Sequence, residues 1–595
     1  MSVVVTIKQV AAKAIRHLYG ADIAPADITV SATRTEFEGD YTIVLFSLIK
    51  QLGKSPDAAG NELGGYLLEQ HTDLFSAFNI IKGFLNLEVK DNYWIDFLQN
   101  NYAADSFGLS KPNGKKVMVE YSSPNTNKPL HLGHLRNNFL GWSTAEILKA
   151  NGYEIVKTCI VNDRGIHICK SMIAWQLFAN GATPETTGLK GDHFVGEYYV
   201  KFNDEYKRQV EALVLNGSSK DAAEKEAPVM KAAQQMLIDW EAGNIAVIEL
   251  WKKMNSWVYA GFDATYKAIG SDFDRIYYES ETYLLGKDLV EEGLKKKVFV
   301  ADDDGSVWID LTADGLDRKI VRRKDGTSVY ITQDIGLAVN KYEEYKCDQS
   351  IYVIGDEQNY HMKVLKFICR KLGLPSADGI YHLSYGMVEL PTGKMKSREG
   401  TVVDADEIVD EMIAIAQQKT EELGKVKDFT QEELKGLCTT IGLGALKFFL
   451  LRVDPKRRMI FNPEESIDFH GFTGPFVQYT HARIKSILRK MENGNRELSI
   501  VNAASPLLSL EKQLIINIEQ FSSVIEEAGN EHDPSKLAIY IFNLAKIFNS
   551  FYAEHSIAGA ESAEKKIIRL QLAQLTAQTI KTGMGLLGIN VPERM

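Results

Sequence analysis

The chain has 595 residues, 45% of them hydrophobic and 25% charged, with a formal net charge of −11. That length exceeds what one hydrophobic core organises, so several domains are expected, and the acidic balance excludes a protein that coats nucleic acid non-specifically while leaving room for local basic patches. Cys159, Cys169, Cys347, Cys369 and Cys438 are scattered and form no C-x-x-C pair, which argues against a disulfide framework or a zinc knuckle and for a reducing, cytoplasmic compartment.

The opening MSVVVTIKQVAAKAIRHLYG has the spacing of an amphipathic helix rather than of a signal peptide, and no apolar run is expected to approach membrane-spanning length. Residues 1–110 mix helix and strand patterns and end in the turn-rich GLSKPNGKK at 108–116. A strand follows, KVMVEY (116–121), then SSPNTNKPLHLGHLRNN (122–138). A helix with apolar Leu135, Phe139, Trp142 and Ile147 comes next, stopped by Asn151-Gly152, before a second strand, EIVKTCIV (154–161). Strand, loop, helix, strand is the βαβ unit of a parallel sheet, with His131 and His134 where the helix begins.

From about 190 to 269 the pattern is helical, an insertion whose stripe of Val247, Leu250, Met254, Trp257 and Val258 reads as core. A second α/β stretch covers 298–390. It opens with two hairpins, VFVADDDGSVWIDL and KIVRRKDGTSVYIT, the latter turning at Asp325-Gly326. The acidic 301–305 is a hairpin turn, because Val300 stands where a calcium loop needs an oxygen ligand. A strand (350–356), a helix and the strand GIYHLSYGMV follow, and everything from 406 to 595 reads as helix. The expected fold is α/β: a doubly wound, Rossmann-like parallel sheet at 111–405, with a small α/β domain at 1–110 before it and an all-α domain at 406–595 after it.

Two imidazoles at a helix N-terminus, beyond the carboxyl edge of a parallel strand, make an anion-binding corner. Gly133 between them leaves room for a nucleotide to approach the backbone. On spacing alone the two histidines serve equally as helix caps. LPTGKMKSREGTVV (390–403) sets Lys394, Lys396 and Arg398 in a Gly-flanked loop after the last strand, which suits a polyphosphate but also suits a solvated turn.

HLGH resembles the HIGH signature, and KMKS the KMSKS loop, of class I aminoacyl-tRNA synthetases. More particularly, the chain is similar from end to end to arginyl-tRNA synthetases. VEYSSPNTNKPLHLGHLRN, DGTSVYITQDIG (325–336), YVIGDEQNYH (352–361), GPFVQYTHARIKSILRK (474–490) and the final LLGINVPERM resemble successive segments of that family. EFEGDYTIVLFSLIKQLGKSP and GFLNLEV resemble its additional N-terminal tRNA-reading domain.

The resemblance implies an arginine–tRNA ligase. Arginine and ATP, with Mg2+ carried by the nucleotide and no dedicated protein metal site, give arginyl-adenylate, which the terminal ribose of tRNA(Arg) then captures. It implies catalytic roles for His131, His134, Lys394 and Lys396, and ATP contacts from His131, Gly133, His134, Met395, Lys396 and Ser397. Arginine would be held by Glu120, Ser122, Asn125, Tyr330, Asp334 and Gln358. Asp334 would pair the guanidinium fork, which distinguishes arginine from lysine and citrulline. Read without the family, Tyr330 is a strand's core aromatic and Asp334 a helix N-cap. Ser397 departs from the family's usual lysine, and Lys128 is expected to supply part of the missing charge. For tRNA, Phe476 and Tyr479 offer stacking surfaces or core packing, Arg483 a phosphate contact, and DPKRR (454–458) and HARIKSILRK (481–490) are locally basic. A monomer is implied by resemblance.

Three other functions were weighed. A synthetase for another amino acid is disfavoured by the Tyr330/Asp334 pair. A nucleotidylyltransferase would not need the helical region beyond 405. A tRNA-binding paralogue with a decayed site is opposed by the intact His131, His134, Asp334 and Gln358.

Overall fold

The computed structural model describes residues 2–34, 36–391, 403–422, 424, 428–492 and 506–595. Lys394, Met395, Lys396, Ser397 and Arg398 lie outside the described residues.

Helix α1 (Val3–Tyr19) buries Val3, Ile7, Ala11, Ala14 and Ile15, the three-to-four spacing expected of the opening sequence. With α2 (Pro56–Gln70) it belongs to a domain built on an antiparallel sheet of order β1-β2-β4-β3. Its strands are β1 (Val30–Ala32), β2 (Tyr41–Val44), β3 (Phe75–Ile81) and β4 (Phe84–Val89).

The central sheet holds β5 (Lys116–Glu120), β6 (Glu154–Val161), β7 (Arg275–Tyr278), β11 (Gln349–Gly355) and β12 (Ile380–Tyr385) in the order β12-β11-β5-β6-β7. Every pairing is parallel. Chain order reverses between β5 and β11, and in such sheets ligands bind beyond the strands' carboxyl ends at that switch point. Between β5 and β6 runs α3 (Leu132–Ala150), 14 of whose residues are buried. It is buried nearly all round because the sheet covers one side and the C-terminal helices the other. Gly141 permits this close seat: a β-carbon there would stand 2.4 Å from the Tyr121 side chain.

The helical insertion includes α4 (Gly191–Leu215) and α5 (Ile245–Ile269). Of its expected stripe, Met254 and Val258 are buried, while Val247, Leu250 and Trp257 are half-buried against the core.

The first hairpin forms as expected, β8 (Val300–Ala301) pairing antiparallel with β9 (Val307–Ile309). The second is cut short. β10 (Lys319–Arg322) pairs back with β9, its return arm is a single bridge from Arg322 to Ser328, and α6 (Tyr330–Tyr345) starts where the second arm was expected. Ile331 and Ile335, four apart on α6, join the small core beneath this hairpin, and helical spacing therefore prevails over the strand pattern. Helix α7 (Asn359–Lys371) then leads from β11 to β12.

Beyond residue 404 come α8 (Ala405–Glu422), α9 (Gln431–Leu451), α10 (Gly474–Glu492), α11 (Pro534–Glu554) and α12 (Ala563–Leu586). Among the described residues, the all-helical expectation has one exception, the parallel pairing of β13 (Val388–Glu389) with β14 (Met459–Ile460). A second expectation is corrected by α9, which is long and apolar enough to cross a membrane by length and composition. Its apolarity has another cause, since it packs against α8 and α10 as a central helix of this region.

Candidate active site

The loop after β5 is held in an uncommon conformation. Ser122 and Ser123 both have positive φ, 80° and 48°, where side chains are rarely found outside functional or strained sites. Two asparagines at the start of α3 fix this turn. The Ser122 N–H donates to Asn137 Oδ1 at 2.5 Å, and Asn138 Nδ2 donates to Ser122 Oγ at 3.1 Å. Asn137 Nδ2 also reaches the Val353 carbonyl on β11 at 2.7 Å, bridging the switch point. Ser122 shares a further hydrogen bond with Tyr266 at 2.7 Å, so its buried side chain serves the scaffold. Asn125 is exposed at the rim, joined by a backbone bridge to Asn162.

At the end of the loop His131 and His134 form a reciprocal cap. The Gly133 N–H donates to His131 Nδ1 at 3.1 Å, and the His131 N–H donates to His134 Nδ1 at 3.2 Å. The capping and phosphate-binding roles are therefore compatible. With both Nδ1 atoms accepting, each neutral ring carries its proton on Nε2, which stays available as a donor. Burial, together with the charge of Lys128, pushes the His131 imidazole down to about 3, and His134 is shifted far in the same direction by burial and by His131. Both are neutral donors across the physiological range. Gly133 has a local reason as well, since a β-carbon there would press on the His131 ring at 3.0 Å. Lys128 and His131 line one cleft of about 350 Å³, and burial lowers the Lys128 ammonium from its usual range.

A second cleft, about 210 Å³, opens at the switch point and brings together Glu120, Asp334 and Gln358, from β5, α6 and the turn after β11. Asp334 is not an N-cap, because α6 begins at Tyr330 and places Asp334 one turn in. Nor is Tyr330 a core aromatic: it is 73% exposed. The two sit on the same face of one helix, four residues apart.

Lys341, His361 and Glu279 were not anticipated. Lys341 and Glu120 form a buried ion pair at the base of the cleft, and His361 Nε2 meets Asp334 Oδ2 at 2.6 Å. Both were legible in spacing, Lys341 lying two turns beyond Asp334 and His361 one turn beyond Gln358. Burial pushes the Glu279 carboxyl up to about 7; Arg164 opposes this, while Asp163 and Asp334 reinforce it. The Asp334 charge thus reaches Glu279, which stands outside the residues lining the cleft. No linear pattern joins Glu279, after β7, to the rest.

Of the other expected residues, Phe476 packs against Phe542 at 5.0 Å between ring centroids and faces the helical core. Tyr479 and Arg483 are both half-buried on α10, the guanidinium 4.8 Å from the ring and donating to Asn549 of α11 at 2.7 Å. Arg136, absent from the expected site, is fully buried and donates to the carbonyls of Gly386, Pro455 and Arg457, tying α3 to the 454–458 segment.

The model of the class I tRNA synthetase (R) catalytic domain matches residues 98–462, that of the arginyl tRNA synthetase N terminal domain 5–89, and that of the DALR anticodon binding domain 477–595. The arginine–tRNA ligase of Flavobacterium psychrophilum is 52% identical, with 98% of each chain covered, and that of Amoebophilus asiaticus is 50% identical over 100% of both. Among solved structures, the fold matches Thermus thermophilus arginyl-tRNA synthetase with a TM-score of 0.79 at 24% identity over 99% of each chain. It matches arginyl-tRNA synthetase from Plasmodium falciparum at 0.77 and 17%, over 99% of this chain and 98% of that one. With a catalytic-domain model spanning more than half its length and full-length relatives near 50% identity, the chain belongs to the arginine–tRNA ligase family of class I tRNA synthetases.

Proposed function

We infer that the chain activates arginine with ATP and transfers it to tRNA(Arg). An oxygen of the arginine carboxylate attacks the α-phosphorus of Mg2+-bound ATP, the bond to the β-phosphate oxygen breaks, and magnesium pyrophosphate leaves. A terminal ribose hydroxyl of tRNA then attacks the acyl carbonyl of arginyl-adenylate, and AMP departs.

The observation that carries this reading is the convergence of Glu120, Asp334 and Gln358 in one cleft, reached by the same loop that ends in the His131–His134 corner. Asp334 pairs the guanidinium. Gln358 adds an amide contact, Tyr330 covers the rim, and Glu120 and Asn125 lie toward the α-amino end. The neutral Nε2–H groups of His131 and His134 donate to phosphate oxygens as charge builds there, and Lys128 adds a cation from the same cleft wall. Lys394, Met395, Lys396 and Ser397 complete the nucleotide contacts in this reading. Tyr479 and Arg483 face the tRNA, with stacking and phosphate contact respectively. The chain is taken to act as a monomer in the cytoplasm, where five free, buried cysteines remain reduced.

The test is aminoacylation of total tRNA with each labelled amino acid in turn. Arginine alone should enter the acid-precipitable fraction, in an amount set by tRNA(Arg); incorporation of a different amino acid, with arginine inert, overturns the assignment.

A further inference from the structure

Residues 403–406 lie beside the histidine corner as a short antiparallel partner. His131 bridges Asp404, the Ala405 N–H donates to the Leu130 carbonyl at 3.0 Å, and the Leu132 N–H donates to the Val403 carbonyl at 3.4 Å. The backbone on either side of His131 is thus set by this segment. Asp404 also caps α8, its Oδ1 accepting from the Asp406 N–H at 2.7 Å.

The segment is in turn gripped from the helical insertion. His193 Nε2 lies 3.3 Å from Asp404 Oδ2 and 3.1 Å from Asp406 Oδ2. Lys190 Nζ reaches Asp406 Oδ2 at 2.5 Å and Asp192 at 3.1 Å, and Thr265 Oγ1 donates to Asp406 Oδ1 at 2.9 Å. Two glycines make this junction possible. A β-carbon on Gly191 would stand 2.0 Å from the Trp257 carbonyl oxygen, and one on Gly261 would stand 2.2 Å from Asp192 Oδ1. Backbone and buried side chain cannot yield that far, so helices α4 and α5 must close at these points to present Lys190 and His193.

A divalent cation is the obvious competing occupant, because ligand atoms of Asp192, His193 and Asp406 lie within 4.8 Å of one another. The Lys190 ammonium already bridges Asp192 and Asp406 and compensates their charge. The geometry is that of a closed ion-pair clamp. His193 agrees, since the Asp404 and Asp406 carboxylates facing its Nε2 hold it up to about 10 and so keep it cationic. Burial pushes Asp406 up, but His193 and Lys190 together hold it below the usual carboxylate range.

We propose that Lys190 and His193 are positioning residues for adenylation: by gripping Asp404 and Asp406 they hold the 403–406 backbone in register beside His131, and so set where the His131–His134 corner presents its donors to ATP. The proposal rests on the reading of that corner as the phosphate site. It assigns the insertion a part in the first chemical step, exerted through the 403–406 backbone even though His193 also lines the cleft that holds Lys128 and His131.

The test is ATP–pyrophosphate exchange, with tRNA present, by His193→Ala and Lys190→Met, each alone and combined with His131→Gln. Each single variant should lose about tenfold in kcat at saturating arginine, with KM for arginine within about twofold of the parent, since the arginine cleft lies elsewhere. His193→Lys, which keeps a cationic donor, should recover most of the loss. In the His131→Gln background either change should cost less than about twofold more, because the geometry it protects is already spent. Full multiplication of the two losses, or a parallel rise in KM for arginine, overturns the proposal. If His193→Ala does not fold, Thr265→Val removes one bond to Asp406 and should give a smaller loss of the same non-additive kind; an additive loss there counts against it equally. His131→Gln with unimpaired exchange would instead sink the phosphate-corner reading, and this inference with it.

Discussion

In the proposed function, amino-acid choice turns on Asp334. A carboxylate matches the planar guanidinium fork, and removing its charge leaves a buried cation on the substrate short of a partner. Asp334→Asn should raise KM for arginine on the order of 100-fold, about 3 kcal/mol, with KM for ATP nearly unchanged in steady-state exchange. Glu279 adds a pH signature. Its carboxyl, raised by burial to about 7, adds its negative charge to that of Asp334 only once it loses its proton, so kcat/KM for arginine should climb as pH rises through about 7. Glu279→Gln should abolish that limb, and the profile for ATP should lack it, since His131 titrates near 3. Lys128→Ala should slow adenylate formation at least about tenfold in single-turnover measurements; an unaffected rate would return Lys128 to the scaffold. At this scale the sequence spoke through motif residues. Asp334 and Gln358 were readable, whereas Glu279 was not, because only the folded sheet carries the end of β7 toward α6.

At the scale of elements, α3 organises the site. One end carries the histidine cap, the next turn carries Asn137 and Asn138 that hold the strained loop, and Arg136 locks the far side to residues 386 and 455–457. All of these hang on the close seat at Gly141, where added atoms meet the Tyr121 ring. Gly141→Val should therefore cost about 2–3 kcal/mol, seen as a lower midpoint in chemical denaturation, and should depress activity even where the protein remains folded. The strand–loop–helix–strand order around α3 was plain from hydrophobic pattern and turn residues. The second hairpin was misjudged because the Asp325-Gly326 turn is real but the residues after Val329 follow helical spacing. Tyr330 and Asp334 then fall on one helical face instead of alternating across a strand.

For the whole molecule, the C-terminal tail fastens α10 to the catalytic layers. Gln478, His481 and Arg489 of α10 engage the backbone of Asn590, Pro592 and Glu593, while Ser143 of α3 and Lys447 of α9 hold Leu586 and Gly588. The division into three regions was legible from the change from mixed to purely helical patterns. Which helix faces pack inward was less so, and Phe476 shows why: one aromatic serves core or base equally until its neighbours are known. Tyr479→Ala should raise KM for tRNA about tenfold, with KM for arginine unchanged, and binding should weaken steeply with added salt where phosphate contacts dominate.

In the proposed function, the cleft at the β5/β11 switch point, with Glu120 and Asp334 in its lining, selects arginine for adenylation. ATP–pyrophosphate exchange with arginine, lysine, citrulline and the other amino acids, run with and without tRNA, tests it most directly. The account predicts exchange with arginine alone among them once tRNA is present; exchange driven by citrulline, by lysine or by any other amino acid at a comparable rate would contradict it.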